Sequence, residues 1–150
     1  MNNEAIRFHF DVDGDNFTTA GQASVQVKKS LRQLGVSPEI IRRVSIAMYE
    51  GEINMVIHAN GGDADVLVYE DRVEIILKDQ GPGIPDVELA MTEGYSTAPE
   101  DVRSLGFGAG MGLPNMKRYT DLFNIETEIG VGTTIMMTVL FDSQSDVQAF

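Results

Sequence analysis

The stretch that decides the fold is Lys78–Pro85, which reads KDQGPGIP and places one aspartate between an apolar run and two glycines. A second glycine-rich stretch, Gly106–Leu113, reads GFGAGMGL and starts fewer than thirty residues later. Ordered glycine costs roughly 0.5–1 kcal/mol of backbone entropy relative to alanine inside regular structure. Two such stretches in one short chain therefore need a reason beyond solubility.

Composition limits the class of protein before any motif is considered. The 150 residues carry 23 acidic and 11 basic side chains, for a net charge of −12. This length suits one domain with its own core, so we expect a single domain over residues 1–150. Binding to nucleic acid requires a basic footprint, which the pairs Lys28-Lys29, Arg42-Arg43 and Lys117-Arg118 do not form. We therefore expect neither nucleic acid nor a membrane surface as a partner.

The N-terminal residues and the hydropathy pattern bear on the compartment. MNNEAIRFHF at the start lacks the basic and apolar segments of a signal peptide. No apolar stretch approaches the ~18 residues of a membrane span. The chain has no cysteine, which excludes disulfides and thiolate chemistry. We expect a cytoplasmic protein.

Apolar periodicity predicts strands and helices along the chain. The first half gives a strand, two helices and two strands: Ala5–Val12, Gly21–Leu34 with Gly35 as cap, Ser37-Pro38 to about Ala59, Asp65–Tyr69 and Val73–Lys78. An irregular region from Gln80 to Gly110 follows, with short helices near Val87–Met91 and Glu100–Val102. The rest gives a helix and a hairpin: Leu113 to about Leu122, Phe123–Glu128 and Thr134–Phe141.

This order of elements predicts an α+β fold. Helices would cover one face of a mainly antiparallel mixed sheet, in a two-layer sandwich. Loops longer than about 12–15 residues are uncommon unless they are functional or disordered, so the region of about 84–112 is interpreted as a lid. Residues 142–150 are predicted to be a polar, loose tail.

Three polar residues recur every four positions on the second helix: Glu50, Asn54 and His58. This spacing places them on one ridge beside the apolar stripe. Glutamate can act as a base, and asparagine offers a neutral oxygen ligand of the kind that Mg²⁺ prefers. An ordinary solvated helix face is an equally good interpretation of these residues alone. His58 is expected to cap or pack at the helix end.

Asp79 follows a predicted strand directly and precedes Gly81 and Gly83. An aspartate there can accept a hydrogen bond from an exocyclic amine, while glycine lets the backbone approach a flat ring. The alternative is an Asx-turn, in which the carboxylate bonds to nearby backbone.

The run GFGAGMGL fits neither of two familiar phosphate-binding motifs. A P-loop requires a Gly-Lys pair, which the chain lacks. A dinucleotide-binding motif requires the spacing G-x-G-x-x-G, which the strictly alternating glycines of this run do not have. What remains is a side-chain-free loop leading into a helix, where backbone N–H groups and the helix dipole can hold phosphate. A flexible solvent loop is the alternative.

Taken together, these motifs are much more specific. E-x-x-x-N-x-x-x-H, D-x-G-x-G, a lid ending in G-x-G-x-G-x-G-L, and G-x-G-T occur in the order that resembles the GHKL ATPase superfamily. The stretches DQGPGIPD, GYST and GLPNMKRYTDLFNIETEIGVGTTI are most similar to bacterial anti-sigma-factor serine/threonine protein kinases, and among them to the switch kinases. The resemblance covers about Ile6 to Leu140 and implies the Bergerat ATP-binding fold, with ATP and Mg²⁺ as ligands.

The resemblance also implies a role for each matching residue. Glu50 would orient or deprotonate the attacking hydroxyl, Asn54 would coordinate Mg²⁺, and Asp79 would bind the adenine amino group. The other nucleotide contacts would be Gly81, Gly83 and Ile84 at the adenine, Thr133 or Thr134 through water, and Gly108, Gly110, Met111, Gly112 and Leu113 at the phosphates. Two residues depart from the pattern: Gly51 replaces the usual alanine and would soften the helix, and Glu52 adds a second carboxylate near Glu50.

The implied function is a protein kinase that phosphorylates a small regulatory protein with a STAS domain. A nucleotide-gated binding module that holds a sigma factor or another protein is the alternative. The presence of Glu50 favours the kinase, because a module that only bound nucleotide would need only Asn54 and Asp79. A histidine kinase working in trans is disfavoured, since the only histidines are His9 and His58. The resemblance also suggests a possible homodimer.

Overall fold

The structure is a computed structural model that describes residues 5–14, 21–59, 61–91 and 112–141. This part of the chain contains five strands and four helices. In order they are β1 (Ile6–Asp13), α1 (Gln22–Gln33), α2 (Pro38–Ala59), β2 (Gly61–Val68), β3 (Arg72–Lys78), α3 (Val87–Ala90), α4 (Gly112–Arg118), β4 (Leu122–Glu128) and β5 (Gly132–Leu140).

The five strands form one sheet in the order β1-β2-β3-β5-β4, and every neighbouring pair is antiparallel. Helix α2 crosses this sheet and contacts β1, β2, β3 and β5, while α1 and α4 pack on α2. The predicted α+β sandwich with helices on one sheet face is therefore confirmed. Its described strands contain no parallel pair, so the sheet is antiparallel rather than mixed.

The core lies between the sheet and α2. Strand alternation turns every second side chain of β3 and β5 toward the helices, and one stripe of α2 faces them. The core side chains with almost no exposed surface include Val73, Ile75, Leu77, Met137, Val139, Val44, Met48 and Met55. Burial of a side chain of this size contributes roughly 1.5–3 kcal/mol. This interface fixes the orientation of α2 and therefore of the polar ridge beside its apolar stripe.

The predicted element boundaries were correct within one residue for β1 and α1 and wrong at three later places, of which one is the start of β5 at Gly132 rather than Thr134. Strand β2 begins at Gly61, not at Asp65, because Gly61 and Gly62 pair with Asp13 and Val12 of β1. Helix α4 ends at Arg118, not near Leu122. The predicted helix near 100–102, most of the lid and the tail lie outside the described residues.

An ion pair explains why α4 ends early. The Arg43 guanidinium lies 3.1 Å from the Asp121 carboxylate and also donates to the Tyr119 carbonyl at 3.2 Å. The Asp121 N–H donates to the carbonyl of Thr138 in β5, which draws the chain into the sheet. Arg42 pairs with Glu39 at 3.0 Å. Arg43 thus ties α2 to the chain after α4, while Arg42 is engaged in an exposed pair within α2, so the two arginines do not form a basic footprint.

The described helices include one of 22 residues, α2. None of them has the combination of length and apolar character that would let it cross a membrane.

Candidate functional site

Glu50 is half-buried on α2, where the start of α4 lies against it. A Cβ added to Gly112 would stand 3.7 Å from Glu50 Oε2, so the first residue of α4 is next to the carboxylate. Burial raises the pKa of Glu50 above its ordinary value, and a hydrogen bond from Asn115 of α4 opposes that rise in pKa. A carboxylate with a raised pKa beside a glycine backbone is a suitable proton acceptor.

Asn54 lies one turn after Glu50 on α2 and is also half-buried. Its side-chain amide makes no hydrogen bond to another described residue. A half-buried amide oxygen without a partner is free to act as an oxygen ligand for a hard cation. His58, in the last turn of α2, is half-buried, and burial lowers its pKa below the ordinary 6.5.

Asp79 follows β3 directly and uses one carboxylate oxygen within the protein. Its Oδ1 accepts from the Gly81 N–H at 2.9 Å and from the Thr133 N–H at 3.1 Å. The Asx-turn expected as an alternative is therefore present. The second oxygen, Oδ2, has no hydrogen bond within the described part of the chain and remains able to accept one.

Thr133 and Thr134 lie on opposite faces of β5. Thr133 is buried, its carbonyl accepts from the Asp79 N–H, and its own N–H donates to the Asp79 carboxylate. Its hydroxyl lies 2.9 Å from the hydroxyl of Thr127. The Thr127 hydroxyl accepts from the Ile84 N–H at 2.8 Å. Thr134 pairs with Lys78 and Glu126 in the sheet and faces away from α2. The geometry thus favours Thr133 for the adenine contact.

Thr127 was not among the residues singled out from the sequence. It belongs to the inward-facing series of β4 with Phe123 and Ile125. The signal available in the sequence was that Thr127 continues the alternating positions of Phe123 and Ile125 with a hydroxyl in place of an apolar side chain. Its partner Ile84 is partly buried and packs on the core, so the hydrogen bond fixes the backbone just after Gly83.

The two glycines after Asp79 let protein segments approach each other closely. Gly83 has φ +83°, and a Cβ there would lie 2.6 Å from the Glu128 carbonyl oxygen. A Cβ at Gly81 would lie 2.7 Å from the Ala59 Cβ at the end of α2. These glycines therefore shape the pocket by bringing its walls together.

A cleft of about 640 Å³ opens at the same end of the sheet. Asp79 and Thr133 contribute to its lining, together with Lys78, Glu126 and Thr134 on the sheet face away from α2. Glu50 and Asn54 do not line it. The ridge of α2 therefore lies on the helical side of Asp79, and this cleft extends from Asp79 on the other side.

The residues predicted at the phosphates are only partly described. Gly108, Gly110 and Met111 lie outside the described residues, whereas Gly112 and Leu113 form the start of α4. The Leu113 side chain is buried in the core, with 6% of its surface exposed. Only its backbone is left for a phosphate contact.

The expectation that Glu52 competes with Glu50 was wrong. Residues two apart on a helix point in nearly opposite directions. Glu52 is buried, and its carboxylate accepts from the N–H groups of Gly21, Ala23 and Ser24 at 2.9, 3.2 and 3.1 Å. It therefore caps the N-terminus of α1 and has no place in the site.

The expectation that Gly51 softens α2 was also wrong. The helix is continuous over Pro38–Ala59, and Gly51 is buried within it. A Cβ on Gly51 would overlap the Cδ1 atom of Leu77, which is fully buried in β3. The glycine thus lets α2 lie close to the sheet next to Glu50.

The site residues form a row along α2. Its two ends are Ala59, which contacts the Asp79–Gly81 loop, and Glu50, which contacts Gly112. A helix rises 1.5 Å per residue, so these ends are about 13 Å apart, with Asn54 between them. An acceptor for an amine, a neutral oxygen ligand and a proton acceptor therefore follow one another over a length that suits a nucleoside triphosphate.

Comparison with protein-family models identifies the family to which the chain belongs. Residues 39–143, from the first turn of α2 to the end of β5, match the model described as "Histidine kinase-, DNA gyrase B-, and HSP90-like ATPase". Two solved structures share the fold: the RsbU and RsbW domains of Rv1364c from Mycobacterium tuberculosis, and the mycobacterial sensor histidine kinase MprB. Their TM-scores are 0.60 and 0.52 at 17% and 18% identity, each over 90% of this chain. The match covers 32% of the first structure's chain and 97% of the second's.

Two curated relatives indicate a smaller group of proteins within this family. The serine/threonine-protein kinase RsbT of Bacillus subtilis (strain 168) is 34% identical over 69% of this chain and 75% of its own length. The anti-sigma F factor of Clostridium novyi (strain NT) is 35% identical over 77% of this chain and 81% of its own. The chain therefore belongs to the GHKL ATPase family, in the group of anti-sigma-factor serine/threonine kinases. It is an ATP-binding domain of that family.

Proposed function

We propose that this chain is a protein serine/threonine kinase. It transfers the γ-phosphate of ATP to a serine or threonine of a small regulatory protein with a STAS domain. The observation that carries the proposal is the position of Glu50: a half-buried carboxylate against the first residue of α4, about 13 Å along α2 from the Asp79 loop. A domain that only held nucleotide would need Asp79 and Asn54 but no proton acceptor at the far end.

The nucleotide would lie along α2 with its adenine at Asp79. Oδ2 of Asp79, which makes no hydrogen bond to a described residue, would accept one from the adenine amino group. Thr133 and Thr127 would supply hydroxyls beside it. Gly112 would leave room for phosphate next to Glu50. This orientation places the γ-phosphate beside Glu50 and away from Asp79.

The transfer step needs a base for the attacking hydroxyl. The hydroxyl oxygen of the substrate forms a bond to the γ-phosphorus while the bond to the β–γ bridging oxygen breaks, and ADP leaves. The hydroxyl proton passes to the Glu50 carboxylate. Positioned general bases contribute typically 10²–10⁴-fold to rate.

Mg²⁺ would be held by Asn54, whose amide oxygen has no partner among the residues that the structure describes and is of the ligand type that this ion prefers. When bound, the ion neutralises phosphate charge. Neutralisation matters here because the chain itself carries a net charge of −12.

The proposal is tested with γ-labelled ATP, Mg²⁺ and the soluble extract of the host. Glu50→Gln is compared with Glu52→Gln, since both residues lie on α2 but only Glu50 faces the site. We expect an acid-stable label on a small protein, a loss of at least about 100-fold with Glu50→Gln, and ATP affinity retained. Glu52→Gln should keep the transfer rate of its folded fraction while lowering stability.

Other outcomes would reject a serine/threonine kinase. An acid-labile label would indicate phosphorylated histidine or aspartate. No label despite ATP binding would indicate the alternative, a nucleotide-gated module that binds a sigma factor or another protein. Equal loss of transfer in both glutamate variants would contradict the role of Glu50 as base.

A further inference from the structure

The hydroxyl of Thr127 in β4 lies between three polar groups. Its Oγ1 accepts from the Ile84 N–H at 2.8 Å. It also lies 2.9 Å from the Thr133 hydroxyl oxygen and 3.4 Å from the Gly132 carbonyl oxygen. A hydroxyl has one hydrogen to donate, so Thr127 gives that hydrogen either to Thr133 or to Gly132.

The two distances favour Thr133 as the acceptor. Hydrogen bonds between a hydroxyl and an oxygen rarely exceed about 3.0 Å, a limit that the contact with Thr133 meets and the contact with Gly132 does not. When Thr127 donates to Thr133, the Thr133 hydroxyl keeps its own hydrogen for another group. Within the described part of the chain, its only side-chain partner is Thr127. The Thr133 O–H is thus available to a ligand as a donor.

Backbone hydrogen bonds hold Thr133 beside Asp79. The Thr133 N–H donates to Oδ1 of Asp79 at 3.1 Å, and the Asp79 N–H donates to the Thr133 carbonyl at 2.9 Å. Oδ2 of the Asp79 carboxylate can only accept a hydrogen bond. The protein therefore presents an acceptor next to a donor, and a ligand that satisfies both must present a donor next to an acceptor.

Adenine has such an edge, formed by its amino group and the adjacent ring nitrogen N1. Guanine has the reverse order, a carbonyl oxygen next to an N–H group, so it would oppose both protein groups. Only 6% of the Thr133 surface is exposed, which limits the replacement of a lost contact by water. A buried site that hydrogen-bonds one particular group discriminates against analogues without it, because its own polar groups are left unpaired.

We propose that Thr127 is a positioning residue for base specificity: its hydroxyl donates to Thr133 and thereby directs the Thr133 O–H toward N1 of adenine, directly or through one water molecule. The inference rests on the proposed function, because it assumes that adenine lies at Asp79. Thr127 acts on the nucleotide through Thr133. Its second contact, with the Ile84 N–H, keeps Oγ1 in place for this purpose.

The test compares affinities for ATP and for 1-deaza-ATP, in which a C–H group replaces N1, by isothermal titration calorimetry. We expect the wild-type protein to prefer ATP about tenfold. Thr127→Val should lower the ATP affinity about tenfold and change the 1-deaza-ATP affinity no more than about twofold. Thr127→Ser retains the hydroxyl and should keep the wild-type preference. The matched control is Thr138→Val, on the face of β5 away from α2, which should leave both affinities unchanged.

Equal affinities of the wild-type protein for the two nucleotides would overturn the proposal without any variant. Equal losses for both nucleotides in Thr127→Val would also overturn it, because Thr127 would then only support the backbone at Ile84. The same holds if Thr127→Ser loses the preference for ATP. If Thr127→Val does not fold, Thr127→Cys takes its place under the same criteria, since a thiol is a weak donor of similar size.

A failure of the proposed function is distinguishable from a failure of this inference, because the affinities do not depend on transfer. A wild-type protein that prefers ATP over 1-deaza-ATP but labels no substrate rejects the kinase and leaves the role of Thr127 intact. A large loss of ATP affinity in Asp79→Asn, without that preference in the wild-type protein, overturns only the role of Thr127. An unchanged affinity in Asp79→Asn rejects the proposed position of adenine, and the role of Thr127 with it.

Discussion

The two carboxylate oxygens of Asp79 have different surroundings. Oδ1 is occupied by two backbone N–H groups, from Gly81 and Thr133, while Oδ2 makes no hydrogen bond within the described residues. The first oxygen therefore organises the loop, and the second is available for a ligand. One side chain thus forms the Asx-turn and keeps a second oxygen able to accept a hydrogen bond from a ligand.

Replacing Asp79 by asparagine separates these two roles. The amide oxygen can still accept from Gly81 and Thr133, but its NH₂ group would replace Oδ2 and face the adenine amine as a second donor. We expect Asp79→Asn to weaken ATP binding about 100-fold, since a charge-assisted hydrogen bond becomes a clash of donors. Isothermal titration calorimetry measures the affinity.

The matched control for Asp79→Asn is Thr134→Val, on the sheet face away from α2. It should leave the ATP affinity within about twofold, because the side chain lies on the face of β5 opposite to Thr133 and away from α2. An unchanged affinity in Asp79→Asn, or equal losses in both variants, would contradict the assignment of Oδ2.

At the scale of elements, Glu52 connects α2 to α1. Three N–H donors at the start of α1 point at this buried carboxylate, and Gly21 there has φ +98°. A helix N-terminus leaves such donors without intrahelical partners and favours negative charge. The cap of α1 is thus supplied by another helix, which no local sequence signal at residues 21–24 indicates.

Removal of this cap should lower the stability of the folded protein. Glu52→Ala leaves buried N–H groups unpaired, and we expect it to lower the free energy of unfolding by about 3 kcal/mol. Glu39→Ala, at the exposed start of the same helix, should cost no more than about 0.5 kcal/mol. Urea denaturation measures both. Losses of similar size would mean that Glu52 is not the cap.

The β1–β2 pair carries an exposed cluster that responds to pH. His9 lies directly opposite Asp65, with 2.8 Å between Nδ1 and Oδ1, and its other nitrogen lies 3.3 Å from Asp11. The hydrogen bonds to Asp65 and then Asp11 raise the pKa of His9 above 6.5. The stabilisation is therefore complete below pH 6.5 and is lost as the pH rises through the folded-state pKa.

The second histidine has the opposite dependence. Burial lowers the pKa of His58 below 6.5. Above that pH His58 is neutral in the folded and the unfolded protein and does not affect stability. As the pH falls, the unfolded protein binds the proton first, so stability decreases. We expect His9→Gln to abolish the decline in stability on the alkaline side while leaving the acid-side decline. Urea midpoints measured across neutral pH test this. The same alkaline slope in both proteins would exclude His9 as its source.

At the scale of the whole molecule, the net negative charge of the protein opposes the binding of ATP. A chain of net charge −12 repels a polyphosphate, and metal ions and backbone amides must neutralise it locally. We expect EDTA to weaken ATP binding at least about tenfold, with part of the affinity restored at higher ionic strength because salt screens the repulsion. Calorimetry with and without Mg²⁺ measures both effects.

Asn54→Ala gives the matched comparison for the metal. It should lower the ATP affinity measured with Mg²⁺ and have little effect on the affinity measured in EDTA. An equal loss under both conditions would mean that Asn54 contacts the nucleotide itself rather than the ion.

Prediction from sequence succeeded where a pattern is local and failed where distant segments meet. The helix Pro38–Ala59 and the strand ending at Lys78 follow from periodicity and from breakers next to them. The start of β2 at Gly61 and the end of α4 at Arg118 were missed, because pairing with β1 and an ion pair from Arg43 decide them. The role of Glu52 was missed although its helical spacing from Glu50 already placed it on another face.

The sequence by itself determined the α+β class, the ridge of Glu50 and Asn54, and the position of Asp79 after a strand, since each depends on spacing within one element. Only the tertiary structure decided that Thr133 rather than Thr134 lies at Asp79, that Glu52 caps α1, and that Gly112 at the start of α4 lies next to Glu50. The physical reason is that a helix or strand fixes the faces of its own residues. Which groups from other elements meet those faces depends on how the buried surfaces pack.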